Sequence, residues 1–201
     1  DKKKGYFVRA TGGMGNEDRF ITSLRGNTFK GERQISFDGS VNNTNLRGGG
    51  GDGITNNKTA GVNYRNEWSD KLSADGGYQF RNRENNTISS RYGQTFYSNF
   101  TRVVDDNNQS NSKSNNHSFW GNLEYKIDTL NYLKISPNIN YNTSDNSSGG
   151  LNKTIGENNT RSIRNGQSLS ESLSGNVGTN IFYNHKFPKK GRNFSVWSSI
   201  N

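Results

Sequence analysis

The side chains in this chain that could perform acid–base, nucleophilic or metal chemistry are few and widely spaced. His117 and His185 are far apart, and neither has a second ligand at the spacing that metal sites use. Asp105 and Asp106 are adjacent in a polar stretch, where solvated carboxylates are a simpler interpretation than catalysis or calcium binding. No Ser/His/Asp arrangement and no catalytic carboxylate pair is evident. We therefore predict a protein that is not an enzyme and that needs no metal or cofactor.

A run of four glycines is the other conspicuous local feature. A phosphate-binding P-loop would require Lys and then Ser or Thr after the last glycine, and this run is followed by Asp52 instead. The run therefore predicts a flexible loop, and backbone contact with a ligand is the lesser alternative. The candidate ligand loop consists of Gly48, Gly49, Gly50, Gly51 and Asp52.

The composition excludes a thick hydrophobic core. Only 27% of the 201 residues are hydrophobic, and there are 24 glycines, two prolines and no cysteine. Disorder, a thin repetitive β-structure and a barrel with a water-filled interior tolerate such a composition. The 11% aromatic content argues against disorder. The net charge of +9 could indicate nucleic-acid binding, but most cations lie beside predicted turns rather than along one element, so we expect no nucleic-acid partner.

Strict alternation of apolar and polar residues marks Phe119–Tyr141 as the central element. Phe119–Ile127 and Leu133–Tyr141 each place apolar residues at every second position, and Asp128–Asn131 separates them. Each arm has about the 9–11 residues that a tilted strand needs to cross a hydrocarbon core. The stretch is typical of a transmembrane β-hairpin.

The same alternation elsewhere predicts an all-β fold of about nine antiparallel strands. Long polar loops are expected at 42–57, 81–116 and 142–164, and Arg91–Val103 is interpreted as part of an excursion outside the membrane rather than a crossing. Pro137 removes a ladder donor, so we expect a bulge there. The other seven strands are Gly5–Met14, Phe20–Thr28, Ile35–Val41, Ala60–Trp68, Leu72–Phe80, Leu173–Tyr183 and Phe194–Ile200.

Charge separates the two faces of these strands. None of the residues on the apolar face is charged, as a lipid-facing surface requires, if Glu171 lies above the hydrocarbon. The residues predicted to face lipid are Leu123, Tyr125, Ile127, Leu133, Ile135, Ile139, Val177 and Ile181. The residues predicted to face a lumen are Arg9, Arg25, Asp38, Arg65, Asp75, Glu124 and Lys134.

Aromatic residues gather near both ends of the predicted strands. Trp and Tyr concentrate at membrane–water interfaces, although plain strand propensity would also enrich them. One predicted belt, beside the short turns, contains Trp68, Tyr125, Tyr132 and Tyr183. The other contains Phe20, Tyr78, Phe80, Phe119 and Tyr141.

Several short motifs resemble the outer-membrane β-barrel family related to TonB-dependent receptors. They are 1–7 (DKKKGYF), 10–15 (ATGGMG), 33–36 (RQIS), 48–55 (GGGGDGIT), 123–128 (LEYKID) and 185–192 (HKFPKKGR). The resemblance covers essentially the whole chain. It implies a barrel of about twenty-two strands, an N-terminal plug domain and energised nutrient uptake. Residues 1–201 would then be one partial barrel domain, without the plug and the remaining strands.

Two classes of function remain open at this point. The first is the barrel of an outer-membrane transporter, whose partners would be lipid, its own plug and remaining strands, and the TonB energy-coupling complex. The second is an extracellular adhesin or β-solenoid, in which the alternation would serve sheet packing. Short turns at one end, long connections at the other and the charge-free face favour the barrel.

Overall fold

The structure is a computed structural model that describes residues 4–44, 53–189 and 191–200. In these residues the chain forms nine strands and a 3-10 turn at Glu157–Asn159, and no helix in them has the length and apolarity to span a membrane. The strands are β1 (Lys4–Met14), β2 (Phe20–Lys30), β3 (Arg33–Asn42), β4 (Ile54–Ser69), β5 (Leu72–Phe96), β6 (Thr101–Lys126), β7 (Asn131–Ile155), β8 (Arg161–Lys186) and β9 (Asn193–Ile200).

The strands form one open, antiparallel, up-and-down sheet. Each strand pairs with its neighbours in sequence, from β1 at one edge to β9 at the other, and the described parts of these two edge strands do not pair together. The prediction of an all-β meander that is compatible with a barrel segment is therefore confirmed.

All connections that the structure describes in full are short. At the end called lower here, the turns follow β2, β4, β6 and β8; at the upper end they follow β1, β3, β5 and β7. At the upper end, only four residues join β5 to β6 and only five join β7 to β8. The long loops expected at 81–116 and 142–164 are therefore wrong as loops. Of the loop expected at 42–57, the first residue belongs to β3 and the last four to β4, and residues 45–52 lie outside the described ranges. The asymmetry between the ends comes from strand length instead.

Residues 81–116 and 142–174 form the polar extension, in which β5 to β8 continue as strands above the predicted crossings. This segment has no apolar alternation, and side-chain hydrogen bonds accompany its backbone ladder. Ser112 Oγ lies 2.6 Å from Asn146 Oδ1, and Ser90 Oγ lies 2.7 Å from Asn107 Oδ1. The stretch 91–103 is the tip of the β5–β6 hairpin, as its interpretation as an excursion implied.

The register places the apolar residues of successive strands directly opposite one another. Residues that face each other across an antiparallel pair share one side of the sheet, so their alignment shows that the predicted apolar sets form one continuous face. One row of direct partners crosses eight strands as Val8, Gly26, Phe37, Val62, Tyr78, Phe119, Ile139 and Val177. We call this surface the apolar face and its charge-free lower part the apolar band.

The neighbouring row on the opposite side of the sheet is polar throughout. It passes through Arg9, Arg25, Asp38, Gly61, Gln79, Ser118, Asn140 and Asn176. We call this side the polar face. Adjacent rows are thus alternately apolar and polar, so the alternation of apolar and polar residues in the sequence places them on opposite faces of the sheet.

The sheet has a single layer and no hydrophobic core. No hydrophobic side chain is buried in the described chain, and large apolar residues are widely exposed. Phe119, for example, keeps 42% of its surface accessible in the middle of the sheet. A soluble domain buries such a face against a second layer, and none packs on it here.

Pro137 lies within β7 without a bulge. The pairing between β6 and β7 is interrupted at Gly121–Asn122 and Ser136–Pro137, yet the register is the same on both sides of the gap. The prediction of a bulge was therefore wrong. Gly121 lies opposite the ring, and a Cβ on it would be in ordinary van der Waals contact with the proline, 3.4 Å from Pro137 Cγ. The register shift that does occur is in β4, between Glu67 and Ser69.

Candidate functional site

The polar face carries a charged row across its first three strands. Arg9, Arg25 and Asp38 are direct cross-strand neighbours in β1, β2 and β3. Asp38 leans toward β4, since a Cβ on Gly61 would lie 3.0 Å from Asp38 Oδ1. Among the described residues, neither arginine has a carboxylate within 4.0 Å. The row therefore presents two guanidinium groups without an ion-pair partner.

A chain of hydrogen bonds crosses the centre of the same face. Ser136 Oγ donates to Asn122 Oδ1 at 2.8 Å, and Asn122 Nδ2 donates to Asp75 Oδ2 at 3.1 Å. These side chains come from β7, β6 and β5, and they span the place where the backbone pairing at Pro137 is interrupted. Side-chain bonds thus connect the strands where the backbone ladder is incomplete.

Two ion pairs lie farther down the polar face. Lys134 Nζ is 3.1 Å from Glu124 Oε1, and Arg65 Nη2 is 3.2 Å from Glu67 Oε1. Arg65 also lies directly opposite Asp75 in the register. The seven residues predicted to face a lumen therefore share one face. Three of them form the upper charged row, and four lie in or beside these lower pairs and the central chain.

The residues predicted to face lipid lie together on the apolar face, with one exception. Leu123 and Tyr125 in β6 lie opposite Ile135 and Leu133 in β7, and Ile135 lies opposite Ile181 in β8. Ile139 likewise lies opposite Val177. Ile127 follows the last residue of β6 and lies in the turn below it. That these residues contact lipid remains a prediction.

Charged residues on the apolar face form rows at its two limits. Above the band, Glu84, Lys113, Asp145 and Glu171 are successive direct partners in β5 to β8. Glu171, the exception in the sequence pattern, therefore belongs to a shared boundary. At the lower ends of β1 to β3, Lys4, Lys30 and Arg33 form a second charged row on this face. The span from Leu133 to Tyr141 in β7 amounts to about 26 Å along the strand.

His117 lies among aromatic rings near the upper limit of the band. Tyr78 Oη is 2.7 Å from His117 Nδ1, and the His117 ring centroid is 4.9 Å from that of Phe80 and 6.0 Å from that of Tyr141. Residue 117 belongs to β6 and is half-buried, so this histidine does not lie in an exposed loop. Four members of the predicted upper aromatic belt, Tyr78, Phe80, Phe119 and Tyr141, do lie together here.

The lower aromatic belt needs one correction. Tyr125 and Tyr183 flank Leu133 on the apolar face, but Tyr132 lies on the polar face, opposite Lys126 and Asn184. Its ring centroid is 6.1 Å from that of Phe182, in an edge-to-face arrangement. The positions of the aromatic residues in the sequence did not predict which face each one lies on, because both faces of the sheet carry aromatic residues beside this turn.

Hydrogen bonds connect the turn between β6 and β7 to β8. Asn131 Oδ1 accepts hydrogen bonds from Tyr183 Oη at 2.6 Å and from His185 Nδ1 at 2.7 Å. Asn131 Nδ2 and the Leu130 amide donate to the Asp128 carboxylate. These hydrogen bonds hold the pKa of Asp128 below its ordinary value, with the Asn131 side chain as the largest cause and the Leu130 backbone amide next.

The remaining candidates from the sequence do not form a catalytic or metal site. Asp105 and Asp106 belong to β6 rather than to a loop, opposite Lys153 and Asn152, and Asn152 Nδ2 donates to Asp106 Oδ1. Gly48–Asp52 lies outside the residues that the structure describes. The described ranges contain no group of three or more His, Asp or Glu side chains that could hold a metal ion.

Comparisons with protein-family models, with curated proteins and with solved structures found no match for this chain.

Proposed function

We propose that this chain forms part of the wall of an outer-membrane β-barrel that takes up a nutrient, in the manner of TonB-dependent receptors. One observation carries the proposal: a single-layered antiparallel sheet whose register aligns a charge-free, exposed apolar band across its strands. Lipid is a solvent in which such a band is stable without a second protein layer.

The limits of the band support the same assignment. A charged row borders the band above in β5 to β8, another lies at the lower ends of β1 to β3, and the nine residues of Leu133–Tyr141 are close to the roughly 9–11 that a tilted strand needs to cross a hydrocarbon core. The polar face has the arginines, carboxylates and amides that a water-filled or plug-filled interior accommodates. In a closed barrel, further strands would pair with the free edges of β1 and β9.

The opposing class of function, an adhesin or β-solenoid, is less favoured by the topology. A β-solenoid stacks successive coils, commonly in parallel, whereas all eight pairs of neighbouring strands in the described chain are antiparallel. The plug, the energy coupling through TonB and the uptake of a nutrient rest on the motif resemblance. The proposed location is the outer membrane of a Gram-negative-type envelope.

Membrane fractionation of the natural host, followed by extraction of the intact protein, tests this proposal. We expect the protein in the outer-membrane fraction and its release only by detergent. Recovery as a monodisperse protein without detergent would contradict a barrel and would favour the surface-protein alternative. Loss of uptake of a radiolabelled nutrient on deletion of the gene, with the membrane otherwise intact, would identify the transported class.

A further inference from the structure

The polar face of β1 to β4 contains a recess with a volume of about 400 Å³. This volume lies within the range of small-molecule sites. Its floor is formed by three successive rows of direct cross-strand partners on the polar face. Adjacent rows are two residues apart along each strand, which is about 6.7 Å.

The lowest row supplies positive charge. It contains Arg9 and Arg25, which are direct neighbours, and Asp38, which leans away from Arg25 toward Gly61. Like charges directly opposite each other destabilise a sheet unless another group compensates them. Two guanidinium groups side by side match a carboxylate, which a planar arginine can bind with two parallel hydrogen bonds.

The middle row supplies hydroxyl groups. Thr11, Ser23, Ser40 and Thr59 are successive partners in β1 to β4, and all four line the recess. Ser40 Oγ and Thr59 Oγ1 are 2.8 Å apart. A hydroxyl is both a donor and an acceptor, so a row of them suits a ligand that carries hydroxyl groups of its own.

The upper row contains a buried amide side chain. Asn42, at the end of β3, is only 6% exposed and lines the recess, and its Oδ1 has no hydrogen-bond partner in the described part of the chain. Because this oxygen has almost no accessible surface, Asn42 closes the upper end of the recess and does not contact a ligand.

We infer that this recess binds a small anion that also carries several hydroxyl groups, the chemistry of a sugar acid. The carboxylate lies between Arg9 and Arg25, and the ring hydroxyls face the hydroxyl row. The inference rests on the proposed function, since it makes this wall of the lumen a solute site, and it adds the class of solute.

Calorimetric titration of the intact natural protein in detergent tests the inference, with glucuronate and glucose as probes. We expect glucuronate to bind at least tenfold more tightly than glucose, because a hydrogen bond to a charged group contributes about 1.5–3 kcal/mol. Arg25→Gln should weaken glucuronate binding at least tenfold. Arg25→Lys, which keeps the charge and loses the planar fork, should give an intermediate affinity.

Arg65→Gln is the matched control, because Arg65 lies on the same face and already has Glu67 as its partner. It should change glucuronate affinity less than twofold.

Equal losses of glucuronate affinity for Arg25→Gln and Arg65→Gln, or no binding of glucuronate by the wild type, would overturn the inference. Equal affinity for inorganic phosphate would overturn the sugar-acid assignment, because phosphate reaches only the arginines. Detergent-dependent extraction reports on the barrel separately, so the failure of one proposal is distinguishable from the failure of the other.

Discussion

Lys134 and Glu124 are direct partners across β6 and β7, and Lys134 Nζ lies 3.1 Å from Glu124 Oε1 on the polar face. Both side chains keep more than a third of their surface exposed, at 37% and 39%, so water and salt screen the attraction. A double-mutant cycle with Lys134→Ala and Glu124→Ala should therefore give a coupling of about 0.2–1 kcal/mol in urea unfolding. The coupling should shrink in 1 M salt. A coupling of zero at low salt would mean that the pair does not form.

The two faces of β7 should respond differently to a charge. Ile135 lies between Leu123 and Ile181 on the apolar face, whereas Asn138 lies between Trp120 and Gly178 on the polar face. An arginine at mid-depth on the lipid side of a barrel costs about 2–4 kcal/mol. In the intact protein, Ile135→Arg should lower the denaturant midpoint or prevent assembly, and Asn138→Arg should leave both nearly unchanged. The reverse order would show that the faces have been assigned to the wrong sides.

Two glycines of the apolar face should differ in their tolerance of a methyl group. A Cβ on Gly76 would lie 2.8 Å from the backbone oxygen of Trp120, so the β5–β6 ladder would have to move. A Cβ on Gly12 would meet no atom within 4 Å. Gly76→Ala should therefore destabilise the protein by about 1–3 kcal/mol, and Gly12→Ala should not. Urea midpoints of the two variants provide the measurement, and equal midpoints would contradict the packing described here.

The lower turn should contribute stability that depends on pH. The pKa of Asp128 is lower in the folded protein than its ordinary value of 3.8, so its contribution is present above that value and is lost as the pH falls through the lower, folded pKa. Asn131→Ala removes the largest cause of the lowered pKa. The difference in unfolding free energy between wild type and this variant should be largest near pH 6 and smaller below pH ~3. A difference that grows on acidification would exclude this role of Asp128.

Asp128→Asn is the control for that experiment. It removes the carboxyl group at residue 128, so the part of the pH dependence that is due to Asp128 should be absent when Asn131→Ala is made in its background. What remains of the Asn131→Ala effect would then report the hydrogen bonds from Tyr183 and His185 to Asn131.

The two ends of the sheet should lie on opposite sides of the membrane. An epitope inserted into the β5–β6 turn at residues 97–100 should be labelled by antibody on intact cells. The same epitope inserted into the turn at 127–130 should be labelled only after the outer membrane has been permeabilised. Labelling of both positions on intact cells would contradict a membrane between them.

The sequence predicted the parts of the fold in which the two faces meet different surroundings. The alternation in Phe119–Ile127 and Leu133–Tyr141 located both strands, their turn and their shared face, because an apolar side chain at every second position is visible in the sequence. The polar extension has asparagine and serine on both faces, so no period distinguishes a strand from a loop there. Its pairing depends on the backbone ladder and on contacts such as Ser112–Asn146, which only the register brings together.

The candidate site was predictable only in part for the same reason. Arg9, Arg25 and Asp38 were assigned to one face from parity, but their alignment in one row depends on the stagger between strands. Asn42 lay at the start of an expected loop, and its burial depends on neighbouring strands. The register across Pro137 is continuous, and its partner position 121 in β6 is identified only by the pairing of the two strands.

The unequal lengths of the strands have a consequence for encounters with large particles. β1 to β3 have 10 or 11 residues, whereas β5 to β8 have 25 or 26. The longer strands rise up to about 50 Å past the band along their own direction, from roughly sixteen additional residues. In an envelope, an antibody or a phage tail would meet this tall side first. A solute would have to be small enough to pass beside these tall strands before it could contact the described upper ends of β1 to β3.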